Sequence, residues 1–255
     1  MSKYICAWSG GKDSTASIIL AHIHNEPLDT IVFSEVMYDR KKNISGENPY
    51  HIDFIYNIAK PLFESWGYEV LILRADTDYL EYFNKTIKTP RKHMEHKDMK
   101  RGFPISRQCG IKRDCKEKPM NKYLRSLGND YIQYVGIAID EPTRLKSMHK
   151  DASKISLLEK YEYTEDMATT LCKIYGLLSP TYNLSNRGGC WFCPNAKLKE
   201  HEDIKNIYPK AWKQFVKLES AKNIAGSKWN IFSKTSLKQR DEYLKYGYYQ
   251  ASLFN

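Results

Sequence analysis

No stretch of the 255-residue chain approaches the roughly 18 consecutive apolar residues that a membrane-crossing helix needs. Mean hydropathy is −0.61. A spanning helix is therefore excluded, and no membrane partner is expected. The opening residues MSKYICAWSGGKDS contain no apolar signal core and no small-residue cleavage site, which predicts a chain that is not exported. Cysteine is scarce, with six residues, too few for a disulfide scaffold. In the reducing, cytoplasmic compartment this predicts, those cysteines are expected as thiols or metal ligands. There is no internal repeat and no low-complexity tract, which argues against a solenoid or a linker. A chain of this length buries a core without staples. It fits one domain with an appendage, or two small ones.

Charge of one sign is present, and it is unevenly spread. Lys and Arg number 40 against 30 Asp and Glu, a net of +10. Residues 85–118 carry 12 basic and 4 acidic side chains, so most of the excess sits in one stretch. Such a patch attracts polyanions and speeds their arrival. A nucleic acid held through residues 85–118 is one expectation, and a solvated loop is the other.

The first seventy residues alternate. Tyr4, Ile5, Cys6, Ala7 and Trp8 form a short β-prone run, broken by Ser9-Gly10-Gly11. Asp13 and Ser14 are placed to cap the helix that follows, whose stripe is Ile18, Ile19, His22 and Ile23. Residues 30–34 are continuously apolar apart from their ends, as in a strand covered on both faces. A helix is expected over 51–66 with Ile52, Ile55, Ile58, Ala59 and Leu62 on one side, and a third strand over 68–73. This order predicts an α/β fold, a parallel sheet with helices on both faces and right-handed crossovers. Further helices are expected over 76–87 and 116–127, and a strand over 131–137. After residue 145 the alternation fades. Residues 146–255 are expected as a mainly helical region carrying a cysteine knuckle, beside a nucleotide-binding domain over 1–145.

Ser9-Gly10-Gly11-Lys12-Asp13-Ser14 lies between a strand and a helix. Two glycines allow a tight turn and close approach of the backbone to a ligand. The N–H groups of the turn and the helix dipole favour an anion there. Ser9 and Ser14 add hydroxyls, and Lys12 adds a point charge suited to phosphate. Asp13 is placed to cap the helix or to help hold Mg²⁺ beside phosphates. Neither a Walker A motif nor a G-x-G-x-x-G motif is present. Glu35, just past the second strand, lies where open α/β sheets bind ligands.

Cys190 and Cys193 form a C-x-x-C knuckle followed by Pro194, and Cys109 and Cys115 form a looser pair. Four thiolates suit tetrahedral Zn²⁺ or an iron–sulfur cluster, and a lone C-x-x-C also suits a redox dithiol. Cys6 and Cys172 read as small buried apolar residues. The tyrosines and tryptophans of the last third read as core or interface, with base stacking as the sharper alternative.

The loop Ser9–Ser14 resembles the PP-loop of the ATP pyrophosphatase superfamily, whose members split ATP between the α- and β-phosphates. The resemblance implies an adenine nucleotide alpha hydrolase-like fold and places Ser9, Gly10, Gly11, Lys12, Asp13 and Ser14 on ATP and its pyrophosphate. Three further segments resemble the phosphoadenosine phosphosulfate reductase family: Cys115 with Pro119 and Leu124, Gly136 to Arg144, and Ser179-Pro180 with the cysteine knuckle behind Arg187. In cluster-bearing members, including the DNA-phosphorothioation sulfur-transfer component, two cysteine pairs hold a [4Fe-4S] cluster. Carried over, the ligands are Cys109, Cys115, Cys190 and Cys193. Gly136, Asp140, Glu141 and Arg144 become nucleotide-binding candidates, with Asp140 and Glu141 on Mg²⁺ and Arg144 on phosphate.

The chain departs from true reductases in having no cysteine after Cys193. The expected activity is ATP-dependent adenylation coupled to sulfur transfer, with nucleic acid as an acceptor and a sulfur donor or redox protein as partner. A homo-oligomer is compatible with this reading. Three alternatives stay open: a sulfonucleotide reductase drawing on partner thiols, an adenylyltransferase with a structural zinc, and a nucleic-acid-binding module without catalysis.

Overall fold

The structure is a computed structural model that describes residues 2–90, 92–104, 109–183, 189–230 and 235–246. Arg187 and Gly188 ahead of the knuckle, and Phe232, Tyr248, Tyr249 and Phe254 of the aromatic tail, lie outside the described residues. The chain divides into two compact units, each assembled from three segments. The first comprises Met1–Glu35, Tyr50–Ala75 and Cys115–Gly188, and the second Val36–Pro49, Asp76–Asp114 and Gly189–Asn255. The sequence reading divides the chain at residue 145 instead. The difference has a packing cause. Leu157, Leu158, Ala168, Leu171 and Cys172 join Ile18, Ile19 and Leu20 in one buried cluster, so residues beyond 145 complete the first unit's core.

The first unit is an α/β layer structure. Its strands are β1 (Lys3–Trp8), β2 (Thr30–Glu35), β3 (Glu69–Arg74), β4 (Tyr131–Tyr134) and β5 (Lys154–Ile155). They form one sheet in the order β3-β2-β1-β4-β5, and every pairing is parallel. β2 is buried at all six positions, which explains its lack of alternation. Successive residues serve opposite faces. Cys6, Trp8, Ile31 and Phe33 face the layer that contains helix α1 (Lys12–Ile23). Ile5 and Val32 pack with Leu124 of helix α2 (Lys118–Ser126). Each large side chain fully buried in this way contributes roughly 1.5–3 kcal/mol.

Helix α1 is buried continuously from Ser14 to Ala21, so it is a core helix with no polar stripe. Ile23, assigned to the stripe from sequence, is 38% exposed. The expected helix over 51–66 is present but interrupted. Pro49–Phe54 and Lys60–Ser65 are α-helical, and Ile55–Ala59 between them is a π-helical turn. A π turn adds a residue and rotates the face that follows. Ile58, expected inside, is accordingly exposed, while Phe54, Ile55, Ala59 and Phe63 are buried.

The second unit contains two small strand pairs. Met37–Asp39 runs antiparallel to Ile44–Ser45, and Lys100–Gly102 runs parallel to Ile224–Gly226. Its helices include Tyr79–Asn84, Leu198–Ile207, Pro209–Lys217 and Leu237–Tyr246. Its interior is aromatic: Tyr38, Tyr79, Trp191, Phe192, Trp212, Phe215 and Trp229 are all buried. Tyr38 and Tyr79 stack with ring centroids 5.5 Å apart, and Tyr79 meets Phe192 at 4.1 Å. The aromatic richness of the described C-terminal residues is therefore largely core. No helix among the described residues is long and apolar enough to cross a membrane.

Candidate functional site

The strand order reverses between β1 and β4, and the Ser9–Ser14 loop leaves the carboxyl end of β1 at that point. Open α/β sheets bind ligands in such a crevice. The loop is shaped by two glycines. Gly10 has φ +71°, and a Cβ there would lie 2.5 Å from Cε1 of His51. Gly136, just beyond β4, presses on the same loop, since a Cβ at 136 would lie 2.4 Å from the Ser14 backbone nitrogen. The two loops flanking the switch point thus touch through a position that only glycine can occupy.

Asp13 and Ser14 do not cap α1. The N-cap is Gly11, with no side-chain cap hydrogen bond. The Ser14 hydroxyl instead donates to the Gly11 carbonyl at 3.1 Å and accepts from the Ser9 N–H at 3.2 Å, closing the turn on itself. The Ser9 and Ser14 hydroxyl oxygens are 3.1 Å apart. The Tyr182 hydroxyl accepts from the Lys12 N–H at 3.0 Å. The N-terminus of α1 therefore faces the crevice without a carboxylate cap, the arrangement that attracts an anion.

Three groups that sequence reasoning did not assign to the site hold the loop. His51 is buried, with Nε2 3.1 Å from the Ser9 carbonyl oxygen and Nδ1 2.8 Å from the Ser179 hydroxyl. A carbonyl oxygen only accepts, so Nε2 carries a proton and donates to the loop. Tyr182 is the second group. Glu165 is the third: it opens helix α3 (Glu165–Ile174), and its carboxylate is 3.3 Å from the Lys12 ammonium. Spacing gives no signal for any of them, because each arrives from a segment remote from the loop.

The charges of the loop are coupled to one another. Lys12 Nζ is 2.7 Å from Asp13 Oδ1. Burial lowers the Lys12 pKa, but the hydrogen bond and charge of Asp13, with Glu165, outweigh it and leave the ammonium above its ordinary value. Asp13 is also raised. Burial is the main cause, Lys12 opposes it, and the charges of Glu165 and Glu141 add to it. Asp13 and Glu165 thus share Lys12, and Glu141 adds its charge at Asp13. Arg144 is ion-paired to Glu141. Asp140 accepts the Glu165 N–H at 3.2 Å and so ties the 136–144 loop to the start of α3. Glu35 is buried at the end of β2, where it accepts from Tyr56 at 2.9 Å and from Arg74 Nε at 2.8 Å.

Cys6 and Cys172 are buried in the first unit, and burial pushes both thiols up to about 12. The Cys172 thiol donates to the Lys12 carbonyl at 3.2 Å, so it supports the loop as a protonated donor. Among the candidate ligands, Cys115 is buried on the π-helical turn Lys112–Glu117, and Cys109, Cys190 and Cys193 belong to the second unit. The knuckle is firmly held. The Cys193 N–H donates to the Cys190 carbonyl, Trp191 Nε1 donates to Ser45 and Trp229 Nε1 donates to Phe192. Cys109 Sγ accepts the Lys112 N–H at 3.4 Å.

Tyr79 carries information about these thiols. Its hydroxyl is fully buried and has no hydrogen-bond partner among the described residues. Burial drives its pKa well up, with smaller contributions from Tyr38, Tyr82, Cys109 and Cys190. One thiol from each sequence pair thus acts on the same orphaned hydroxyl. The four-thiol donor set fits Zn²⁺ or an iron–sulfur cluster. Among the described residues, however, no three His, Cys, Asp or Glu side chains are gathered as a metal site requires.

No protein-family model and no curated protein matches the chain. Among solved structures it is similar to the U34-tRNA thiolase NcsA from Methanococcus maripaludis with its [4Fe-4S] cluster. That likeness covers 94% of this chain and 80% of the thiolase, at 16% identity and a TM-score of 0.41. A likeness of this degree bears on neither activity nor cofactor.

Proposed function

We propose that the protein is an ATP-dependent adenylating enzyme of PP-loop type that couples α–β cleavage of ATP to sulfur transfer. The observation that carries this reading is the Ser9–Ser14 loop. It stands at the switch point of a parallel sheet and at a helix N-terminus without a side-chain cap, with Gly136 packed on its backbone. In this reading the pyrophosphate portion of ATP lies on the loop N–H groups, the Ser9 and Ser14 hydroxyls and Lys12. Asp13 and Glu165 both engage Lys12 and leave it little charge to offset a bare triphosphate, so in this reading ATP is bound with Mg²⁺, and Asp13 helps to hold the cation. A substrate oxygen attacks the α-phosphorus, the α–β bridging bond breaks, and pyrophosphate leaves with its charge neutralised by Lys12 and the helix dipole. Hydrosulfide-level sulfur then displaces AMP from the adenylated carbon, a balanced substitution that needs no oxidant. Cys109, Cys115, Cys190 and Cys193 are the proposed ligands of an iron–sulfur cluster or Zn²⁺; four thiolates close such a centre, so it would organise the site rather than bind the donor sulfur itself. Tyr79 lies within electrostatic reach of Cys109 and Cys190. The basic stretch 85–118 recruits a nucleic-acid substrate.

The test is product analysis with ATP and Mg²⁺. AMP and pyrophosphate are expected. Replacing Asp13 or Ser14 by Ala should reduce their formation about 100-fold or more, as for loss of a charge-stabilising group in a site of this kind. ADP and inorganic phosphate as products, or unchanged rates in both variants, would remove the loop from the chemistry. Metal analysis of anaerobically purified protein tests the cysteine set separately. Iron with sulfide, or one zinc per chain, is expected, and metal-free protein overturns it.

A further inference from the structure

The second unit contains a cavity of about 380 Å³ whose walls include Tyr82, Lys92, His96, Arg101, Phe103 and Arg113. That volume is within the range of small-molecule sites, roughly 300–1,000 Å³. Part of the wall is bare backbone. Gly226 is on this wall, and a Cβ there would lie 2.4 Å from the Phe103 carbonyl oxygen, so the close approach of the two strands requires glycine.

The charge on the walls is ordered. Asp114, itself buried, accepts from Arg101 Nη1 at 3.1 Å and from Arg113 Nε and Nη2 at 2.9 and 2.8 Å. The Asp114 carboxylate thereby orients both guanidinium groups. Lys92 adds a further cation on the rim. The nearby acids are engaged elsewhere, Glu95 with His93 and Asp98 with Lys88. Preoriented guanidinium groups suit phosphate and reduce the ordering cost of binding. The Arg101 guanidinium carbon lies 4.9 Å from the Tyr82 ring centre, so the phosphate-binding groups adjoin an aromatic wall. Aromatic rings and guanidinium planes are the surfaces on which unpaired bases stack.

We propose that this cavity holds one nucleotide of a single-stranded or unpaired nucleic acid, with its phosphate on Lys92, Arg101 and Arg113 and its base against Tyr82 and Phe103. A base inside a duplex is covered on both faces and cannot enter. The inference deepens the reading of the protein as acting on nucleic acid, and rests on it.

The experiment is a fluorescence anisotropy titration with short mixed-sequence DNA and RNA strands, single and duplex. Single strands of either or both kinds should bind more tightly than the duplex. AMP should displace them at concentrations where inorganic phosphate and polyglutamate do not. Lys92→Glu should weaken binding about 10-fold or more and reduce the salt slope by about one. Tyr82→Leu, with its fold checked by circular dichroism, should weaken it about 5-fold or more. Equal binding of duplex and single strand, displacement by phosphate or polyglutamate as effective as by AMP, or wild-type binding by both variants would overturn the proposal. ATP binding by the wild-type protein is titrated in the same preparation without nucleic acid. Its absence would defeat the reading of the loop while leaving the cavity result intact.

Discussion

At the scale of single residues, the loop depends on positions where nothing larger than hydrogen fits. Gly136 has no unusual φ to mark it, yet a methyl there would overlap the Ser14 nitrogen and the Asp13 carbonyl carbon. Gly136→Ala should therefore displace the loop. Pyrophosphate formation is expected to fall about 100-fold, the scale expected when a reacting geometry shifts by about an ångström. The thermal midpoint should drop by only a few degrees, corresponding to about 1–3 kcal/mol of overpacking. Kinetics and a melt on the same preparation check this. Tyr79 behaves in the opposite way. Its buried hydroxyl has no partner among the described residues, so Tyr79→Phe should be neutral or stabilising by about 1 kcal/mol in denaturant titrations. Clear destabilisation would show that the hydroxyl has a partner in solution.

At the scale of elements, helices differ in how their first turns are satisfied. Helix α1 begins at Gly11 without a side-chain cap. The helix Tyr79–Asn84 has a full capping box: Asp78 accepts the Glu81 N–H at 2.8 Å, and Glu81 accepts the Asp78 N–H at 3.3 Å. Asp78 also accepts the Arg40 N–H at 2.8 Å and is 3% exposed. Asp78→Ala should cost about 2 kcal/mol, one cap plus one buried hydrogen bond, measured by denaturant unfolding. The same element shows why the expected helix over 76–87 came out short. Asp78 starts it late, and Lys85, with ψ 122°, ends it early.

At the scale of the whole molecule, buried thiols and phenols set an alkaline limit. Cys6 and Cys172 have an ordinary value of 9.0 and are pushed to about 12 by burial. Tyr38 and Tyr134 are raised by burial in the same direction. Above the unfolded-state value the unfolded chain has released these protons and the folded chain has not. Stability therefore falls as pH rises from 9.0 toward about 12. Melts from about pH 8 to about pH 11 should show a steady decline, and a flat profile would contradict the burial of these groups.

The strand–turn–helix around residues 9–14 was legible in the sequence because it is local. Two glycines, a lysine and two serines between an apolar run and a helix specify their own geometry. The parallel sheet was legible too, from β2 with its unbroken apolar run. The interleaving of the two units was not, because the chain leaves and re-enters each unit with no change of composition. Nor was β5 legible, since two residues make no pattern. The sequence by itself determined which chemical groups the loop offers, since residue type and neighbouring backbone suffice for that. Only the tertiary structure decided that Glu165, His51 and Tyr182 surround the loop, that Asp140 ties down α3 and that Arg144 pairs with Glu141. Those contacts form when separate helices dock on α1 and the sheet, and packing between remote segments leaves no periodic trace along the chain.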